Sequence, residues 1–229
     1  MSRVHPAVIA IWAALIVSAS FLPTLPIWFT GSTFSLASAL IPLAGIFFGP
    51  EKGALCAAIA QVAGTFIAPH TAWLGIWTPL VGTANAYVSG CVSRKRWAPA
   101  LGVIVAGWAL WYTSPVGREA AIFPAVFYSL GIAAAVTGST WGSKFISSPG
   151  AITAGAGIWL ASFAGFVGAA AVGNVFGLLL LRIPAKVWKA LVFVSPWERS
   201  LFSLMAAVVG VPLMQGLRKV GIGVGPRDR

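Results

Sequence analysis

Four side chains in this sequence end in a carboxylate: Glu51, Glu119, Glu198 and Asp228. Acid–base or metal-assisted chemistry needs such groups converging on one reacting centre. Here each falls in a separate predicted loop or tail, so the sequence pairs none of them. The two histidines, His5 and His70, are far apart, and neither has the H-E-x-x-H spacing of a zinc peptidase. A serine nucleophile served by a downstream histidine is excluded, because no histidine follows residue 70. GSTWGSKF, residues 138–145, has the glycines of a phosphate-binding loop, but Ser143 separates Gly142 from Lys144 and Phe145 stands where Ser or Thr is needed. It reads as a helix end. Cys56 and Cys91 sit in apolar stretches as small hydrophobic filler, with no disulfide inferred. An enzyme is therefore not expected, and neither a metal nor a cofactor.

The polar groups that remain are amides. Gln61, Asn85 and Asn174 interrupt apolar stretches, where an unpaired carboxamide is costly, so each must meet another helix, a buried water or a ligand.

The elements that must hold these groups follow from composition. The 229 residues are 59% hydrophobic and 8% charged, and a mean hydropathy of +0.91 marks an integral membrane protein. Between Val4 and Pro50 the only ionisable side chain is His5, and from Gly53 to Ser93 only His70 can titrate near neutral pH. A hydrocarbon core of about 30 Å takes about 20 residues per helix, so each stretch must cross more than once. GPEKG, residues 49–53, is then a surface turn. Gly49 permits the reversal, Pro50 suits a first helical turn, and Glu51 lies at the positive end of the helix dipole beside Lys52.

Charges divide the chain into apolar segments near 7–25, 33–48, 53–69, 74–92, 98–113, 120–141, 155–181 and 200–217. The alternation of a membrane β-barrel is absent. The expected fold is all-α, a polytopic bundle of six to eight membrane-embedded helices forming a single integral membrane domain over 1–229. Residues 1–6 are too short for the n-region of a cleaved signal, so the first helix is expected to be retained.

With eight crossings and the N-terminus inside, the inner side receives Arg3, Lys52, Arg94, Lys95, Arg96, Lys144, Arg218, Lys219, Arg227 and Arg229. The outer side receives Arg118, Arg182, Lys186, Lys189 and Arg199. This favours both termini in the cytoplasm. The net charge of +11 is met by lipid headgroups rather than nucleic acid, for which no soluble basic surface exists. Residues 182–199 form a basic outer loop in this scheme. It is either a lid over an outward-facing pocket, with Trp188 and Trp197 covering a ring system and Glu198 or Arg199 at the mouth, or a cytoplasmic segment on headgroups.

Two surface patterns stand out. Ala10, Ala14 and Ser18 recur every four residues on the first helix, a flat face that admits another helix closely. Of the 11 tryptophans, Trp28, Trp73, Trp77, Trp111 and Trp197, with Tyr112, fall near predicted outer helix ends, as an interfacial belt or the lining of an outer pocket.

The run SLASALIPLAGIFFGPEKGALCAAIAQVAGTFIAP, residues 35–69, resembles the second and third helices of the substrate-binding S components of energy-coupling factor (ECF) transporters. The face Ala10, Ala14, Ser18 is similar to that family's AxxxA feature, and residues 194–217 resemble its C-terminal helix. The sequence departs from the family in having up to eight apolar segments rather than six helices, and in carrying Gln61 where an acidic residue is frequent. The resemblance implies capture of a vitamin or related micronutrient from outside. It implies as partners a transmembrane T component, resting on Ala10, Ala14 and Ser18, and two ATP-binding-cassette ATPases. It also implies that later helices bind substrate, which makes Asn85 and Asn174 the ligand candidates beside Trp77, Trp197, Glu198 and Arg199. The alternatives are a self-sufficient secondary transporter, against which stands the lack of an intramembrane carboxylate or repeat, and a structural membrane subunit.

Overall fold

The computed structural model describes residues 5–26 and 33–226. Trp28, Arg3, Arg227, Asp228 and Arg229, named above, lie outside the described residues. Eight helical segments follow one another: α1 (Pro6–Ala19), α2 (Ala37–Phe48), α3 (Pro50–Ile67), α4 (Thr78–Ser93), α5 (Trp97–Trp111), α7 (Ile122–Thr137) continuing into α8 (Ser143–Ser147), α9 (Ala151–Leu179) and α10 (Ala185–Lys219). A single turn, α6 (Pro115–Glu119), caps the α5–α7 connection. Short strands β1 (Pro23–Pro26) and β2 (Thr33–Ser35) pair antiparallel between α1 and α2. The expected helical membrane bundle is thus what forms.

Among the described residues, three helical runs have the length and apolarity to cross a membrane alone: Ile122–Ser147, Ala151–Leu179 and Ala185–Lys219. The shorter ones are fitted around them. α2 has 12 residues, of which all but Ser38 are buried. It spans only about 18 Å and lies inside the bundle rather than against lipid. α9 is the other interior helix, with buried residues on every side.

Small residues let these helices touch. A methyl group on Gly45 of α2 would stand 1.9 Å from the Ala86 carbonyl of α4, and one on Gly165 of α9 would stand 1.9 Å from Ser89 Oγ of α4. Backbone-to-backbone approach of this kind is how lipid-embedded helices gain dispersion contact where no hydrophobic drive joins them.

The Gly-Pro turn reverses the chain as expected, with Gly49 at φ 94°. Glu51, however, pairs with Arg96 across the α4–α5 connection rather than with its neighbour Lys52. A helix residue and the one after it point about 100° apart, whereas Arg96 faces Glu51 from a separate element. Arg94 donates to the carbonyls of Gly45 (3.4 Å), Ile46 (3.2 Å) and Phe47 (3.4 Å). These belong to the last turn of α2, where the Gly45 carbonyl also accepts from Gly49 N at 2.8 Å while Pro50 has no N–H to offer Ile46. Burial pulls the Arg94 guanidinium below its ordinary value, opposed by the charge of Glu51. The Phe47 carbonyl also accepts from Gly225 N at 3.1 Å, so α2–α3, α4–α5 and the segment after α10 share one end of the bundle. At the other end Lys189 meets Glu119 at 3.0 Å, and the exposed His70 ring sits 3.2 Å from the Ser20 carbonyl.

Several boundaries differ from the sequence reading. The first segment was expected to run to 25 as helix, but α1 stops at Ala19 because Pro23 and Pro26 cannot supply helical donors. GSTWGSKF is not a helix end: Gly138–Gly142 forms a π turn inside one continuous run to Ser147. Residues 182–199 are not a loop. From Ala185 they are the first half of α10, continuous with the expected last helix. Pro196 sits within that helix, a position that composition alone reads as a break. Trp111, expected at the interface, is fully buried, and its Nε1 donates to the Gly117 carbonyl at 2.7 Å.

Candidate ligand-binding site

A cavity opens at the end of the bundle that carries the β1–β2 ribbon, the turns between α3 and α4, and the α9–α10 connection. Counted together with the open solvent at its mouth, it holds about 1170 Å³ of space free of protein atoms. Its walls come from α2, α3, α4, α9 and α10. Elements from both ends of the sequence are therefore needed to close it.

Three carboxamides reach this space. Asn85, buried on α4, lines it while its Oδ1 accepts from Ser89 Oγ at 3.3 Å; Ser89 Oγ also donates to the Asn85 carbonyl at 2.8 Å. Gly165 allows this, because any side chain there would fill the place of the Asn85 and Ser89 groups. Asn174, buried on α9, donates through Nδ2 to Tyr128 Oη of α7 at 3.2 Å. That bond uses one of its four hydrogen-bonding positions and fixes the plane of the amide at the cavity wall. Gln61 of α3 lines the cavity opposite Gly82, where a methyl group would stand 2.7 Å from its side chain.

Aromatic rings supply flat apolar surface. Trp73 lines the cavity and lies against Gly173 of α9. Trp188 lines it from α10 and is held from behind by Trp111 (ring centroids 4.9 Å) and Phe123 (5.4 Å), with Nε1 donating to the Ile183 carbonyl at 3.1 Å. Hydroxyls stud the remainder. Ser38, the one residue of α2 that is not buried, faces the cavity, and Thr78 lines it while Oγ1 accepts from Leu74 N at 3.1 Å.

Glu198 and Arg199 are the charged residues among the described cavity lining. They were expected at the mouth of a loop. Instead they lie 13 and 14 positions into α10, about 20 Å along its axis. The aromatic assignments need correcting too. Trp77 is stacked on Phe176 at 5.3 Å and half exposed, and Trp197 is 69% exposed; neither lines the cavity. Residues one position apart on a helix diverge by about 100°, so Glu198 turning inward carries Trp197 outward toward lipid. Of the six expected ligand contacts, Asn85, Asn174, Glu198 and Arg199 are brought together, and Trp73, Trp188 and Gln61 join them. Polar residues in apolar segments were the readable signal. The hydroxyls gave none, because Ser and Thr are common in any membrane helix.

Ala10, Ala14 and Ser18 lie elsewhere, all exposed along one side of α1. Ile11 is 69% exposed beside them.

The helical membrane bundle thus has one end open into a polar and aromatic cavity, and no group of three or more metal-ligating side chains is found among the described residues. Residues 2–114 match the family model for the ECF-type riboflavin transporter, S component. Through that match, over about half of its length, the chain is identified as an S component of an ECF transporter, a transport class rather than an enzyme class. No curated protein and no solved structure matches it. The match ends before α6, so Asn174, Glu198 and Arg199 lie beyond it.

Proposed function

We propose that this chain captures riboflavin, or a flavin close to it, from the outer face of the membrane. A T component with two ATP-binding-cassette ATPases would then drive its import. The observation that carries this reading is the cavity itself: Trp73 and Trp188 offer faces for a fused ring system, while carboxamides and hydroxyls offer partners for a polyol chain. The substrate named for the matched family has both parts.

The orientation follows from charge. The Gly-Pro end carries Lys52, Arg94, Lys95, Arg96, Lys144, Arg218 and Lys219, against Arg118, Arg182, Lys186 and Lys189 at the cavity end. By the positive-inside rule the former faces the cytoplasm, which puts the cavity outside and both termini in. The exposed face Ala10, Ala14, Ser18 is the docking strip for the T component.

Mass spectrometry of small molecules copurifying with the detergent-solubilised chain, followed by titration of the stripped protein with riboflavin, tests the substrate. A bound flavin, weakened by both Asn85→Leu and Asn174→Leu, supports the reading. Full affinity in both variants removes these two residues from the site, and failure to bind any flavin removes the substrate. Uptake by the chain alone in vesicles without ATP would show a self-sufficient transporter instead.

A further inference from the structure

We propose that the turn joining α4 to α5 holds the headgroup of an anionic phospholipid, with the Lys95 ammonium on the phosphate and the Trp97 ring beside it. The site lies at the Gly-Pro end of the bundle, away from the cavity, and is independent of what the cavity binds.

Arg94, Lys95 and Arg96 follow one another here, and the turn sends them to different places. The Arg96 amide donates to the Cys91 carbonyl at 2.9 Å and the Lys95 amide to the Val92 carbonyl at 3.2 Å, the paired bonds that close a helix through a left-handed residue. Arg94 folds inward onto the carbonyls that end α2, and Arg96 reaches Glu51. Lys95 is left exposed, with no carboxylate in ion-pair contact among the described residues.

Lys95 is also the left-handed residue of this turn, at φ 60°. Among the described residues six have positive φ; four are glycines, and the other two, Lys95 and Arg182, are exposed cations. A left-handed backbone brings Cβ against the following carbonyl, which glycine alone avoids, so a lysine kept there has a use for its side chain that outweighs the strain. The helix dipole is not that use, since Arg94 and Arg96 already place positive charge at this terminus. An anion outside the protein is. Trp97, the next residue but one and 56% exposed, is the kind of side chain that settles at the headgroup level of a bilayer. A phosphodiester at that level meets the ammonium donors of Lys95. A net negative headgroup is preferred to a zwitterion, because Lys52, Lys144 and Lys219 raise the potential at this end while Arg96 neutralises Glu51.

The test uses the full-length purified chain in nanodiscs of equal parts phosphatidylglycerol and phosphatidylcholine, with the lipids that stay bound after release counted by native mass spectrometry. The wild type is expected to retain phosphatidylglycerol over phosphatidylcholine by about fivefold or more, the effect of one cation at a charged bilayer surface, and by less as salt rises. Lys95→Gln should bring the two lipids within about twofold of each other, and Lys95→Arg should keep the preference. Lys95→Gly should lose the preference too, yet unfold at a temperature equal to or above that of the wild type, because the strain leaves with the charge. Lys219→Gln, an exposed cation at the same end but outside the turn, should leave the preference unchanged. A preference that survives Lys95→Gln overturns the inference. An equal loss in Lys219→Gln overturns it as well, by showing a diffuse field rather than a site. ATP-driven uptake lost in Lys95→Gln with lipid retention unaltered would give the cation to a partner subunit instead of a lipid.

Discussion

Tyr128 touches no ligand-lining surface of its own, yet its loss should be felt at the cavity. It is fully buried on α7, and its hydroxyl accepts from Asn174 Nδ2 at 3.2 Å. Tyr128→Phe removes that one oxygen and leaves the ring, with its packing on Phe123, Phe127 and Trp108, in place. A neutral buried hydrogen bond contributes about 0.5 to 1.5 kcal/mol net. If this bond holds the Asn174 amide at the angle the ligand needs, affinity should fall by about twofold to tenfold. Asn174→Leu removes the contact itself and should cost more, and the double variant should behave as Asn174→Leu alone, since the hydroxyl then has nothing to orient. Equilibrium titration of the detergent-solubilised chain measures all three, with thermal unfolding of the same samples to follow stability. Ligand affinity unchanged in Tyr128→Phe while Asn174→Leu weakens binding would refute the positioning role. Additive losses in the double variant would refute it equally.

Three other outcomes follow from the same geometry. Gly165→Ala places a methyl group 1.9 Å from Ser89 Oγ and 2.6 Å from Asn85 Oδ1, so it should destabilise by about 1 to 3 kcal/mol and displace Asn85, read as a lowered midpoint of thermal unfolding together with weaker ligand binding. Ala14→Trp, on the exposed side of α1, should abolish ATP-driven uptake in reconstituted vesicles and leave binding by the isolated chain intact; loss of both would place that face inside the fold. Lys189→Cys, in a background lacking Cys56 and Cys91, should react with a membrane-impermeant thiol reagent on intact cells, because Lys189 is exposed beside Glu119 at the cavity end; labelling only after the membrane is opened would reverse the orientation.

Much of the architecture was legible because the bilayer restricts the answer. Uncharged stretches between Arg3 and Glu51, and between Lys52 and Arg94, force helices that cross and return, and Gly49–Pro50 marks one reversal by conformational preference alone. The polar residues Asn85 and Asn174 stood out for a similar reason, since hydrocarbon tolerates no idle amide. Residues 182–199 were misread because density of charge imitates a loop. Lys186 and Lys189 sit near the cavity end of α10, and Pro196 lies within that helix without ending it.

What the sequence determined by itself was solvent and secondary structure: apolar length, the sites of charge and the surface turn at Gly49 fix a helical membrane bundle and the end of it that collects cations. Tertiary structure decided which side chains share the cavity. Trp73 and Trp188 line it and Trp77 and Trp197 do not, although all four have the same side chain and sit near polar segments. Rotation about α10 separates Trp188 from Trp197, whereas Trp73 lies in the turn before α4, where Gly173 of α9 leaves room for its ring. Such contacts join residues distant along the chain, and a linear pattern carries no record of their mutual angle.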